Sequence, residues 1–299
     1  MPSVLLQGLR MGRESRMRNT INFAGFSDLS VIGQGTWYMG ENPAQRADEV
    51  AALQAGLECG LQLIDTAEMY ADGGAEEVVG QALLGRRDRA LLVSKVYPWN
   101  AGEVDAIAAC ERSLRRLQTD YLDLYLLHWR GNIPLEETLR AMERLQQQGK
   151  IRHWGVSNFD TDDMAELWDE EKGEACATNQ VLYHLASRGI EFDLLPACQQ
   201  RGVPVMAYCP LAQAGRLRDT LFTDSRLTQI AQQKGISVAQ LLLAWVIRQP
   251  GVIAIPKASS VAHVQENAAA LEVELNDEDL QLIDRAWPAP QHKLPLDIV

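Results

Sequence analysis

The sequence is poor in the residues that build metal and disulfide sites. It holds five Cys in 299 residues (Cys59, Cys110, Cys176, Cys198 and Cys209), an odd number with no C-x-x-C pair. That spacing argues against a disulfide framework and a cysteine zinc site, and points to a reducing, cytoplasmic setting. The five His (His128, His153, His184, His263 and His292) show no H-x-H or H-E-x-x-H spacing, so no metal is expected. No apolar run reaches the ~18 residues of a membrane span. The N-terminal segment carries Arg10, Arg13, Arg16 and Arg18 without the apolar stretch of a secretory signal, and residues 1–20 read as a flexible tail. Positive charge is also scarce. Lys and Arg number 28 against 40 Asp and Glu, a net charge of −12, which disfavours nucleic acid and anionic membranes as partners.

Three catalytic signatures are absent as well. The glycines of GQGTWYMG (Gly33, Gly35, Gly40) do not make the G-x-G-x-x-G of an open dinucleotide-binding sheet. Gly155-Val156-Ser157-Asn158-Phe159 lacks the second glycine of a hydrolase elbow. A glycosidase needs two carboxylates at strand ends, and only Asp65 is well placed.

What is present is an alternation. Eight short runs rich in branched apolar residues read as strands: Val31–Thr36, Leu61–Asp65, Ala90–Val96, Tyr121–His128, Ile151–Ser157, Ala177–Val181, Val203–Tyr208 and Val252–Pro256. Several are almost continuously apolar, as parallel strands covered on both faces must be. Between them lie stretches at helical spacing, the clearest being Pro134–Gln148, where Leu135, Leu139, Met142 and Leu145 form one stripe and Glu136 and Glu137 suit the positive N-terminus. Additional helices are expected near Ser225–Lys234 and Ser237–Arg248, after the seventh strand, and near Asp277–Trp287 at the C-terminus. The pattern predicts an α/β protein, a (β/α)8 TIM barrel in a single domain over residues 21–299, with a doubly wound open sheet as the competing arrangement.

In such a barrel chemistry gathers where strands end. Asp65 ends the second strand, Tyr70 follows it, Lys95 stands near the end of the third and His128 ends the fourth. An ammonium flanked by Leu91, Leu92, Val93 and Val96 costs several kcal/mol, roughly, unless it is paired, and Asp65 is the neighbouring partner. The set suits proton delivery to a carbonyl: Tyr70 as acid, Lys95 lowering the phenol's pKa, Asp65 anchoring Lys95, and a neutral His128 orienting the oxygen. Reduction is completed only by a hydride from a cofactor.

From Val31 to Trp287 the chain resembles the aldo-keto reductases. LIDTAEMY carries the family's D-T-A-x-x-Y, with Lys95 and His128 where the other two members of its tetrad belong, and GKIRHWGVSNF, NQVLYH and IPKASS match family blocks in order. GTWYMGE and TAEMYADGGAE are closest to bacterial reductases of methylglyoxal and related small aldehydes. The resemblance implies a nicotinamide cofactor, held at the carboxamide by Ser157, Asn158 and Gln180, on the ring by Tyr208, and along the pyrophosphate by the loop after it, with Cys209, Pro210, Leu211, Gln213, Gly215 and Arg216. Gly35, Thr36, Trp37 and Asp65 adjoin it. Ile255, Pro256, Lys257, Ala258, Ser259 and Ser260 bring a cation to a helix start suited to a 2′-phosphate, and Glu266 and Asn267 meet the adenine. His263 stands where many NADPH-using members have Arg, yet Lys257 favours NADPH, with NADH as the second choice.

Trp37, Tyr38, Tyr97, Trp99 and Trp129 are expected to wall an aromatic pocket for a small aldehyde or ketone, with little cover from the twelve residues after Trp287. The expected protein is a monomeric NADPH-dependent reductase. The alternative is a cofactor-sensing regulatory subunit of the same fold with little turnover.

Overall fold

The computed structural model describes residues 19–299, so the tail expected over residues 1–20 lies outside the described residues except for Asn19 and Thr20. Thr20 already belongs to structure. Strands β1 (Thr20–Phe23) and β2 (Phe26–Ser30) form an antiparallel hairpin absent from the sequence-based expectation. Ala24 and Gly25, at φ 47° and 84°, supply the two left-handed residues that such a tight turn requires.

Eight parallel strands follow: β3 (Gln34–Gly35), β4 (Leu63–Asp65), β5 (Leu91–Val96), β6 (Leu122–Leu127), β7 (Ile151–Ser157), β8 (Asn179–Leu182), β9 (Val205–Tyr208) and β10 (Val252–Ala254). Each pairs with its sequence neighbour. The ring closes where β3 meets β10, through Gly33 N to Ala254 O (2.8 Å), Gly35 N to Pro256 O (3.0 Å) and Ala254 N to Val31 O (2.9 Å). A Cβ on Gly35 would lie 2.7 Å from Ile255 O, so the seam requires glycine there. The fold is the expected (β/α)8 barrel.

Helices α1 (Arg46–Glu58), α2 (Gly74–Ala82), α3 (Glu103–Leu117), α4 (Leu135–Gln147), α5 (Thr161–Asp169), α6 (Leu194–Gln200) and α10 (Val261–Ala269) follow successive strands. The additional helices are α7 (Arg216–Thr223), α8 (Ser225–Lys234) and α9 (Val238–Ile247) after β9, and α11 (Asp277–Ala286) near the C-terminus. Of these, α7 was not anticipated. Among the described residues no single helix is long and apolar enough to cross a membrane.

Strand periodicity sorts the barrel. Leu63, Leu91, Val93, Leu124, Leu126, Met206 and Ile253 form one inner cluster, into which the hairpin inserts Phe23 and Leu29. Leu63 and Leu91 begin their strands, so the hairpin stoppers the end where strands start. Leu29 is fully buried, and Leu29→Ala should cost about 3 kcal/mol of unfolding free energy, read from urea denaturation, without moving the opposite end. Continuing the same parity to the other end brings Asp65, Lys95 and His128 inward, along with Gly35, Ser157, Tyr208 and Lys257.

Candidate active site

A cavity of about 820 Å³ opens at the C-terminal ends of the strands. Lys95 lies behind the lining residues Asp65 and Tyr70, fully buried, and spends all three ammonium donors: to Asp65 Oδ2 at 2.8 Å, to Tyr70 Oη at 2.9 Å and to Thr66 O at 3.0 Å. Gln180 Nε2 donates to the other oxygen of Asp65 at 2.7 Å. Tyr70 reaches Lys95 from a turn in which Ala71, Asp72 and Gly73 are successively left-handed, at φ 51°, 53° and 90°. The ring of His128 meets that of Tyr70 edge-on, centroids 5.7 Å apart. Asp65, Tyr70, Lys95 and His128, from three strands and one loop, thus converge.

Burial sets their ionisation. It pushes the Asp65 carboxyl up despite Lys95, and the Lys95 ammonium down despite Asp65. His128 is driven well below the ordinary imidazole value by burial and by the charge of Lys95, so it is neutral at neutral pH. Its buried Nδ1 has no hydrogen-bond partner among the described residues. The direction expected for Tyr70 requires correction. The phenol is pushed well above its ordinary value, first by burial and then by the charge of Asp65. Desolvation of a phenolate outweighs the ammonium beside it, so Tyr70 rests as a protonated donor.

Of the residues expected at the cofactor, Gly35, Thr36, Trp37, Asp65, Ser157, Asn158, Gln180, Tyr208, Cys209, Pro210, Leu211, Gln213, Ile255, Pro256 and Lys257 line the cavity. Tyr208 Oη donates to Asn158 Oδ1 at 2.8 Å, and Asn158 Nδ2 donates to His128 O at 3.2 Å, which ties β9, β7 and β6 together at the rim. Tyr38, Asn158, Cys209 and Ala212 all line the cavity with left-handed backbone, a clustering of strain typical of functional sites.

Other expectations fall outside the lining. Gly215 precedes α7 and Arg216 opens it, exposed and turned away. Its place is taken by Arg218, whose Nη1 donates to Leu211 O at 2.9 Å. Ala258, Ser259, His263, Glu266 and Asn267 lie outside the cavity lining, on and before α10, whose N-cap is Ser260, accepting from His263 N at 3.3 Å. Of the aromatic wall, Trp37, Tyr38 and Trp129 line the cavity. Tyr97 and Trp99 do not, because the turn at Pro98 carries them outward, where they stack on each other 4.3 Å apart behind Trp129. The tail covers more than expected. Lys293 donates to Asp193 Oδ1 at 2.9 Å and Ser187 binds Asp297, and the segment ends with Ile298 and Val299 on the cavity wall. Met69, Arg130, Ala214 and Arg218 are further lining residues that the sequence reading passed over. Arg130, directly after Trp129, was the one with a positional signal. No cluster of three metal-ligating side chains occurs among the described residues.

A closed barrel with a carboxylate, ammonium, phenol and imidazole meeting beneath a long cleft defines an oxidoreductase-type site, and the chain belongs to the aldo/keto reductase family, whose model matches residues 31–288. Methylglyoxal reductase YeaE of Escherichia coli is 65% identical over 279 residues, 93% of this chain and 98% of that protein. Glyoxal reductase of Bacillus subtilis is 36% identical over 287 residues, 93% and 98% respectively. An aldo/keto reductase from Klebsiella pneumoniae, solved with NADP and acetate, is 66% identical, superposes with a TM-score of 0.93, and is matched over 94% of this chain and 99% of its own.

Proposed function

We propose that this chain reduces small aldehydes, 2-oxoaldehydes such as methylglyoxal among them, to alcohols in the cytoplasm with NADPH. The observation that carries the reading is Lys95 Nζ held between Asp65 Oδ2 at 2.8 Å and Tyr70 Oη at 2.9 Å, both on residues that line the cavity.

The cavity suits the cofactor. In a chain of net charge −12, Arg218 and Lys257 line it, and neither has a carboxylate partner among the described residues. Two such cations suit an anionic ligand. Lys257, with Ser259 before α10, would take the 2′-phosphate, Arg218 the pyrophosphate, Ser157, Asn158 and Gln180 the carboxamide, and Tyr208 the ring face. When bound, the nicotinamide supplies the hydride.

The chain's own residues do the rest. Neutral His128 donates a hydrogen bond to the carbonyl oxygen and orients it toward Tyr70. Tyr70 gives that oxygen its proton, and the phenolate so formed meets the ammonium of Lys95, which Asp65 and Gln180 hold in place. Trp37, Tyr38, Trp129 and Ile298 exclude water and favour compact, weakly hydrated carbonyls.

Methylglyoxal, glyoxal and longer aldehydes mixed with NADPH or NADH test this reading through loss of nicotinamide absorbance. Turnover with NADPH is the expected result, and tight NADPH binding with no turnover on any aldehyde overturns it. Lys257→Met should raise the KM for NADPH by about 10- to 100-fold, the worth of a charge-assisted phosphate contact, and leave the KM for NADH unchanged. Equal changes for the two cofactors would remove Lys257 from the 2′-phosphate.

A further inference from the structure

Another buried carboxylate, Glu76 on α2, has no part in the reaction described above. It is fully buried and makes two short bonds: Ser94 Oγ donates to its Oε1 at 2.6 Å, and Arg116 Nε on α3 donates to its Oε2 at 2.6 Å. Both partners lead to the tetrad. Ser94 precedes Lys95 on β5 and points outward where Lys95 points inward, so its side chain fixes the strand from behind the ammonium. Arg116 lies across the turn that delivers Tyr70. A Cβ on Gly73 would sit 2.6 Å from Arg116 Cδ and from Nε, so the guanidinium rests directly on the last of the three left-handed residues.

That turn is strained. Ala71 and Asp72 occupy a conformation that disfavours L side chains by roughly 1–2 kcal/mol each, and such a segment persists only if its surroundings hold it. On one side the backbone of Gly74 packs against Gly40, where an added Cβ would lie 2.4 Å from Gly74 C. On the other stands Arg116, whose Nη2 also reaches Ser113 Oγ at 3.3 Å. Among the described residues, the Glu76 carboxylate joins that arginine to the strand carrying Lys95.

We propose that Glu76 is a positioning residue: its carboxylate, bridging Ser94 and Arg116, fixes the Tyr70 turn relative to β5 and so sets the contact between Tyr70 Oη and Lys95 Nζ. A hydrogen bond between those two groups tolerates little displacement, and a shift near 1 Å costs on the order of 100-fold in rate. The inference rests on Tyr70 being the proton donor.

The test compares Glu76→Gln, which keeps the shape and loses the charge, with Ser94→Ala, which removes the strand contact alone, in the full chain. NADPH affinity by fluorescence titration counts the folded, binding-competent fraction. Expected is a fall in kcat of about 10- to 100-fold for Glu76→Gln and a smaller fall for Ser94→Ala, with NADPH Kd and aldehyde KM within twofold of the parent. Arg116→Lys should recover part of the rate lost in Arg116→Met. A Glu76→Gln protein with parental kcat overturns the inference, and if that variant does not fold, parental kcat in Ser94→Ala does so. Tyr70→Phe run alongside separates the two levels. If it turns over normally the proton-donor reading itself fails, whereas an inactive Tyr70→Phe beside a fully active Glu76→Gln refutes only the role of Glu76.

Discussion

Tyr70→Phe is expected to lower kcat for methylglyoxal by roughly 10³-fold, within the range for loss of a positioned acid. The substitution removes one oxygen and leaves the ring, which packs edge-on to His128 and 6.5 Å, centroid to centroid, from Trp37. Shape and cofactor cleft are therefore retained, and NADPH affinity should stay within a few-fold. Neither polar neighbour of the phenol within the tetrad is placed to replace it as the acid. His128 is neutral and borders Trp129, and Lys95 has already committed its three donors. The measurement is steady-state kcat alongside NADPH titration. A large loss of affinity would instead indicate that the hydroxyl supports the fold or the cofactor.

Lys95→Met carries the second large effect, and it should appear in both rate and stability. Removing the ammonium leaves Asp65, buried to 2% exposure, with Gln180 as its remaining side-chain donor. Stranding one member of a buried pair costs about 3–5 kcal/mol. The Asp65 carboxyl, already raised by burial, should respond by taking up a proton. The phenolate formed after proton transfer would then have no cation beside it, so kcat should fall at least as far as in Tyr70→Phe. In Asp65→Asn/Lys95→Met, which removes both charges, much of the lost stability should return while turnover does not. Urea unfolding and kcat on the same preparations distinguish the two. Recovered activity in the double variant would show that Lys95 serves packing rather than proton transfer.

Much of this site could be read from the chain because a strand has period two. Once Leu63, Leu91, Val93 and Leu124 are assigned to the barrel interior, Asp65, Lys95 and His128 fall on the same face without further information. The ammonium among apolar neighbours demanded a partner, and Asp65 was the only carboxylate at an adjacent strand end. What escaped the reading depended on longer-range geometry. Arg216 and Arg218 are two residues apart, and which one faces the cleft is decided by the start of α7 at Arg216, which local propensity does not mark. Tyr97 and Trp99 share the strand-end position of Trp129, but Glu68 Oε1 accepts from Tyr97 N at 2.7 Å and the turn at Pro98 carries both rings outward. The path of the tail to Ile298 and Val299 depends on Lys293 finding Asp193, across 100 residues of sequence. The rise in the Tyr70 pKa follows from how completely the site is buried, a quantity that spacing alone does not give.

The most direct test of a protonated Tyr70 acting beside a fixed ammonium is single-turnover reduction of methylglyoxal by preformed enzyme–NADPH, followed by stopped-flow in H₂O and D₂O. The parent protein should be fast and slowed in D₂O. Tyr70→Phe should start from the same bound-NADPH signal and decay roughly a thousandfold more slowly. Equal single-turnover rates for the two proteins would contradict the account.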